Sequence, residues 1–220
     1  EDGIRDYKVT GVQTCALPIS KGLLYPEGHP LSSGKVEMKY MTAREEDILT
    51  NSNYIEQGIV IDKLIQSLCV TKFDYDDLLI GDKNMLLIAS RILGYGADYK
   101  ISYGDDDYAI INLTELTKKT IDSSIISALN KNEFNYKLPV SNVEITFKFL
   151  TQGDEKRIEE ELKGLKKLSP NSSHEITTRL KYSITSVAGD RKLETIRGFV
   201  DKMLAKDSRA LRIYINSISP

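Results

Sequence analysis

One helix pattern is present twice in this chain. Residues 79–95 read LIGDKNMLLIASRILGY and residues 204–217 read LAKDSRALRIYINS, so that Asp82 matches Asp207, Leu86 matches Leu211 and Ile88 matches Ile213. In each copy the Asp is expected at the helix N-cap, its carboxylate accepting from the first unpaired amides at the positive end of the helix dipole. After Asp207, the residues Leu211, Tyr214, Ile215 and Ile218 recur at helical spacing and mark one buried face. After Asp82 the apolar cover is wider, taking in Met85, Leu86, Leu87, Ile88 and Ala89 and then Ile92 and Leu93, which places the first copy at the centre of the core. A helix used twice constrains the chain to a duplicated, mainly helical architecture.

A second, independent echo lies upstream of each copy. Val36, Met38 and Tyr40 alternate with Glu37 and Lys39 as in a half-buried strand, and T-x-x-E follows at Thr42 and Glu45. Val143, Ile145, Phe147 and Phe149 alternate in the same way, and T-x-x-D follows at Thr151 and Asp154. In the first box Thr42 is expected to accept from the Glu45 amide while Glu45 reaches back, which starts a helix at Ala43. That helix is short and polar and frays at Asn51, Ser52 and Asn53. Ile61, Leu64, Ile65 and Leu68 predict a second amphipathic helix, with Cys69 as an ordinary small buried residue. Residues 74–79 form a brief turn or short helix.

Gly94, Tyr95 and Gly96 end the first Asp helix. Tyr99, Ile101 and Tyr103, then Tyr108, Ile110 and Asn112, flank Gly104, Asp105, Asp106 and Asp107 and predict a hairpin. Asn112 or Thr114 can cap a helix running to Lys119, and Ile121, Ile125 and Leu129 suggest another. A charged helix covers 155–168. Ile176, Leu180, Ile184 and Val187 suit a helix, although Leu180, Tyr182 and Ile184 also alternate as in a strand. Leu193, Ile196, Phe199, Val200, Met203 and Leu204 define a clear helix.

The fold class expected is therefore α+β and mainly helical: two tandem related units, each a strand, a capped polar helix and packed amphipathic helices, with a β-hairpin after the first. The first unit spans 20–120 and the second 121–220, the second truncated where its own hairpin should begin. Residues 36–93 should superpose on 143–217, with Asp82 over Asp207.

The net charge is −2 with 28% charged residues, which gives no electrostatic case for nucleic acid or an acidic membrane, and no apolar run reaches the roughly 20 residues of a membrane span. Two cysteines, Cys15 and Cys69, make neither a disulfide framework nor a metal cage. His29 stands in a Gly-Pro loop, and His174 before Glu175 lacks the second His of a zinc-protease helix; both are expected in solvent. Gly34 and Lys35 miss the phosphate-loop pattern, because Gly28 is one residue too far back and Val36 replaces the hydroxyl residue. Asp105, Asp106 and Asp107, and Asp74, Asp76 and Asp77, lack the spaced ligands and terminal Glu of a calcium loop and are expected as a solvated turn and a helix-start cluster. Lys163, Lys166 and Lys167 balance Glu159, Glu160 and Glu161 on a solvated helix face. No catalytic residue, cofactor or metal ligand is assigned.

Residues 1–19 resemble something other than protein coding. EDGIRD, two variable residues and VTGVQTCALPI are similar to the in-frame translation of an indexed sequencing adapter, with Tyr7 and Lys8 as the index. They are set aside as adapter-derived and not native.

Three further stretches carry a family resemblance. KGLLYPEGHPLSSGKVEMKYMTAREEDILTNSNYIEQGIVIDKLI, LLIGDKNMLLIASRILGYGADY and RLKYSITSVAGDRKLETIRGFVDKMLAKDSRALRIYI are similar to the baseplate-hub protein family of T-even-type contractile-tailed bacteriophages. TAREEDILT and DSRALRIYI are the most specific parts, and 109–136 match least. Family members often continue past Ile-Ser-Pro into a strand pair bearing C-x-x-C; here Tyr103 to Asp107 occupies the place of such a pair in the first hairpin, and no metal is expected. The resemblance implies a structural or assembly component of the tail baseplate that acts by protein recognition. It implies a virion location after assembly in the host cytoplasm, other baseplate and tail proteins as partners, and no nucleic acid, membrane or small-molecule ligand. The alternatives are a transient tail-assembly chaperone, or an unrecognised enzyme or nucleic-acid module. The lead-in at 21–34, with Leu23, Leu24 and Tyr25 apolar in a loop, either adds to a partner's surface or packs back on its own domain.

Overall fold

The computed structural model describes residues 14–16, 18–104, 107–116, 121–126, 131–169 and 172–219. The fold is α+β and mainly helical, with small antiparallel sheets. The first unit begins with β1 (Thr14–Ala16), β2 (Val36–Met38), α1 (Ala43–Leu49), α2 (Ser52–Glu56), α3 (Val60–Leu68) and α4 (Ile80–Tyr95). A hairpin, β3 (Asp98–Ser102) and β4 (Tyr108–Asn112), follows α4. The second unit runs β5 (Phe134–Lys137), β6 (Glu144–Phe147), α5 (Gln152–Leu168), α6 (Glu175–Ser183), β7 (Ile184–Val187), α7 (Leu193–Asp201) and α8 (Ala205–Ile218).

The two units share their hydrogen bonding. β6 lies between β5 and β7, with Phe134 opposite Phe147, Asn135 opposite Thr146 and Tyr136 opposite Ile145. In the first unit β1 pairs with β2 in the equivalent register, Thr14 opposite Met38, Cys15 opposite Glu37 and Ala16 opposite Val36. The adapter-like tripeptide thus takes the place that Phe134, Asn135 and Tyr136 hold in the second unit. On the other edge, the Lys39 amide donates to Leu68 O at the end of α3 (3.0 Å), and the Lys148 amide donates to Ser183 O at the end of α6 (2.8 Å). Buried Val36 and Met38 therefore correspond to buried Ile145 and Phe147, two residues later than the match of Val36 to Val143 that the sequence pattern suggests.

The helices that follow start as expected, at Ala43 after Thr42 and after Thr151. Glu45 and Asp154 reach back to the amides of Thr42 (3.0 Å) and Thr151 (3.1 Å). The Asp154 amide donates to the Thr151 hydroxyl (3.3 Å), and the Thr42 hydroxyl donates to the Glu45 carboxylate (2.6 Å). The boxes share one more residue than their motif contains: Lys39 and Lys148, each three before the Thr, pair with Glu45 (2.8 Å) and Asp154 (2.7 Å).

Several expectations are corrected. Asp82 and Asp207 are not N-caps; Leu79 and Leu204 are, and each Asp is the third helical residue. The chain does not fray after α1, because the Asn51 side chain accepts from the Tyr54 amide (3.1 Å) and starts α2. β5 has no counterpart in the sequence pattern, and Ile184 to Val187 leave the helical period as β7 because β6 offers an edge to pair with. Between the units Asn112 and Asp122 cap 3-10 turns, Leu113–Glu115 and Ser123–Ile125, where the sequence predicts α-helices; Lys119 and Leu129 lie outside the described residues. One hydrophobic core runs through both units and includes Leu31, Ile65, Leu68, Leu86, Phe147 and Leu211.

Candidate protein-interaction surface

Among the described residues four carboxylates are fully or almost fully buried, those of Glu45, Asp82, Asp154 and Asp207, and each holds the fold together. Asp82 accepts from the Ser20 amide (2.9 Å), the Ser20 hydroxyl (2.6 Å) and the Tyr25 hydroxyl (2.8 Å). Asp207 accepts from the amides of Val140 (2.8 Å) and Ser141 (3.0 Å), which keep its carboxyl below the usual range although burial acts the other way. Burial also opposes ionisation of Glu45, but Lys39, Thr42 and Ser67 overcome it and bring its pKa down to about 2. Asp154 is lowered likewise, against its burial, by Lys148, Thr151 and Arg157. Lowered in this way, Glu45, Asp154 and Asp207 are fixed structural anions.

The residues with candidate chemistry scatter. Asp74 caps its own turn through the Asp76 amide (3.0 Å), Asp76 pairs with Lys156, and Asp77 faces His29 (3.3 Å). His29 is half-buried rather than solvated: its ring stacks on Tyr25 (5.1 Å), and Nδ1 accepts from the Leu31 amide (3.2 Å). His174 stands at the N-cap of α6 with no side-chain cap bond. Asp105 and Asp106 lie outside the described residues. Among the described residues no group of three or more His, Cys, Asp or Glu is placed to hold a metal ion, and no helix is long and apolar enough to cross a membrane. Burial pushes the Cys69 thiol up to about 12, against the opposing charge of Lys72.

The lead-in packs back on its own domain. Of Leu23, Leu24, Tyr25 and Leu31, only Leu23 stays exposed. Gly22 and Gly34 close the loop: both have positive φ, and a Cβ on Gly22 would stand 2.5 Å from Gly34 N. Clefts lie between the units. One of about 630 Å³ is lined by Tyr25, His29 and Asp77 on one side and Glu133, Thr185 and Arg191 on the other. Within it Arg191 pairs with Glu133 at 2.9 Å. Another, about 480 Å³, includes Ile80, Leu150, Arg212 and Ile215.

Among the described residues, exposed apolar side chains gather on the hairpin. Tyr99 and Ile101 share one face with Ile111, while Tyr108 and Ile110 share the other, and all five are exposed. Tyr103 near the tip is 70% exposed and Ile110 63%. The Arg91 guanidinium ties the hairpin to α4 by donating to Asp98 O (3.4 Å) and lying over Tyr99, while it also donates to Gly96 O (3.0 Å) and lies over Tyr95 at the end of its own helix. Lys100 lies 3.8 Å from the centre of the Tyr108 ring. A two-stranded hairpin with apolar residues on both faces is marginal in water and gains by burial against another surface. The sequence pattern locates this hairpin, but its alternation does not reveal that both faces are exposed.

No family model matches the sequence, and no solved structure matches it. Over 100 residues the chain is 33% identical to an uncharacterized lipoprotein of Mycoplasma capricolum subsp. capricolum, a stretch that is 44% of this chain and 14% of that protein. A match of that extent relates part of two chains and carries no function across.

Proposed function

We propose that the chain is a structural or assembly component of the tail baseplate hub of a T-even-type phage, acting in the virion by protein recognition. The observation that carries the recognition reading is the exposed β3–β4 hairpin, anchored to α4 by Arg91 and apolar on both faces. The similarity of 21–65, 78–99 and 179–215 to the baseplate-hub family supplies the setting. In that setting the buried carboxylates keep the units rigid, and the hairpin is the element offered to a neighbouring baseplate or tail protein.

The test is capture of tail proteins from infected cells by the tagged chain, compared with the double variant Tyr103→Ser, Ile110→Ser. Exposed apolar anchors at an interface contribute about 1–2 kcal/mol each, so capture should fall at least about tenfold while the melting temperature stays unchanged. Undiminished capture by the variant would contradict the hairpin's role.

A further inference from the structure

The junction between the two units leaves its two halves open at the ends of the chain. Within the chain, residues 78–80 and 150–152 form an antiparallel bridge: the Gln152 amide donates to Leu78 O (2.8 Å) and the Ile80 amide donates to Leu150 O (3.2 Å). The Gln152 side chain enters the first unit, where it donates to Asp62 (3.1 Å) and accepts from Lys83 (3.0 Å). Leu79 is thereby 4% exposed.

The same segments recur once more on each side. Met203, Leu204 and Ala205 lead into α8 as Leu78, Leu79 and Ile80 lead into α4, yet Leu204 is 51% exposed. Met41, Thr42 and Ala43 lead into α1 as Leu150, Thr151 and Gln152 lead into α5. Among the described residues, Met203 O and the Ala205 amide have no backbone partner, and neither do Met41 O and the Ala43 amide. The side chains change together. Ala43 stands in the place of Gln152, and Ser208 in the place of Lys83, so the polar insertion is replaced by small groups that need none. Arg44 stands in the place of Gly153 and brings a Cβ there, so the second junction sits slightly wider than the first, and Asp201, two residues before Met203, stands in the place of Asp76. Asp201 is 55% exposed although it pairs with Lys181 (2.7 Å), and so stays within reach of a second cation.

We infer that a second copy of this chain docks head to tail, its 41–43 segment adding to 203–205 of the first as 150–152 adds to 78–80. The contact is heterologous, so it extends into a ring or a file of copies rather than stopping at a twofold dimer. Two substitutions block one half each without disturbing a helix. Ala43→Pro removes the donor at the first helical position, where proline is favoured, after a Thr42 already in the extended region at φ −119 and ψ 173. Leu204→Asp puts a charge on the apolar edge and a favourable residue at the N-cap of α8.

Sedimentation of the full chain should show a mass that rises with concentration, and each variant alone should weaken this association more than about tenfold at an unchanged melting temperature. Mixing the two variants should restore association but stop it at the dimer, since each retains one intact half. A wild-type chain that stays monomeric up to about 1 mM, variants that associate as the wild type does, or a mixture that fails to pair would overturn the inference.

Discussion

Asp82 and Asp207 occupy the same third position of their helices, and each turns its carboxylate out of the helix onto the segment that precedes its own unit's strand. For Asp82 the segment is the lead-in at Ser20 and Tyr25; for Asp207 it is the turn at Val140 and Ser141. Asp82→Ala leaves three buried donors without an acceptor. Each orphaned group costs about 1–3 kcal/mol, so a loss of about 3 kcal/mol or more is expected, or roughly 6–12 °C in melting temperature. Asp207→Ala should cost less, because Val140 and Ser141 are exposed and water can replace the carboxylate. Thermal unfolding of both variants checks this, and the reverse order would contradict it.

Acid should unfold the protein through Glu45, Asp154 and Asp207. All three have folded-state pKa values below their ordinary ones, Glu45 at about 2. The contribution of Glu45 is therefore complete above its unfolded value of 4.5 and is lost as pH falls towards about 2, while those of Asp154 and Asp207 are complete above 3.8 and are lost as pH falls below it. Stability measured by denaturant between about pH 6 and about pH 2 should drop through that window, and Glu45→Gln should flatten the drop. An unchanged acid slope in the variant would remove Glu45 from the account.

Gly153→Ala sets two effects against each other. Alanine improves helix propensity by about 1 kcal/mol. Its Cβ would stand 3.0 Å from Asp76 Cβ and 3.1 Å from Asp76 O, so backbone must move at the junction, at about 1–3 kcal/mol. A net loss of stability is expected, and a gain equal to the propensity difference would show that the junction is looser than described.

Cys69 should resist alkylation in the folded protein. It is buried, bridged through its backbone to Met38, and its thiol is held at about 12, so almost no thiolate exists at neutral pH. Peptide mapping after iodoacetamide treatment should find Cys69 modified only once denaturant is present; rapid native labelling would contradict this.

Local and periodic features are legible in the sequence. Thr42 with Glu45, the α3 face of Leu64, Ile65 and Leu68, and the β3–β4 hairpin follow from spacing alone. Features that depend on a partner far along the chain are not. Asp82 looks like a cap until Ser20 and Tyr25 are seen to supply its donors, and Phe134 to Lys137 become a strand only beside β6. Lys39 and Lys148 are an intermediate case: they are a shared position of the two boxes, and a comparison extended three residues upstream of each Thr exposes them. The exposed apolar surface is visible in the sequence as a hairpin but not as an exposed one, because exposure depends on what the rest of the chain leaves uncovered.

The proposed role makes this protein a working part of the tail. Quantitative mass spectrometry of purified particles from the phage whose genome carries this sequence tests it most directly. The protein is expected at a fixed ratio to the baseplate proteins; its absence from particles, with recovery only from lysates bound to unassembled tail proteins, would contradict the virion role and make it a chaperone.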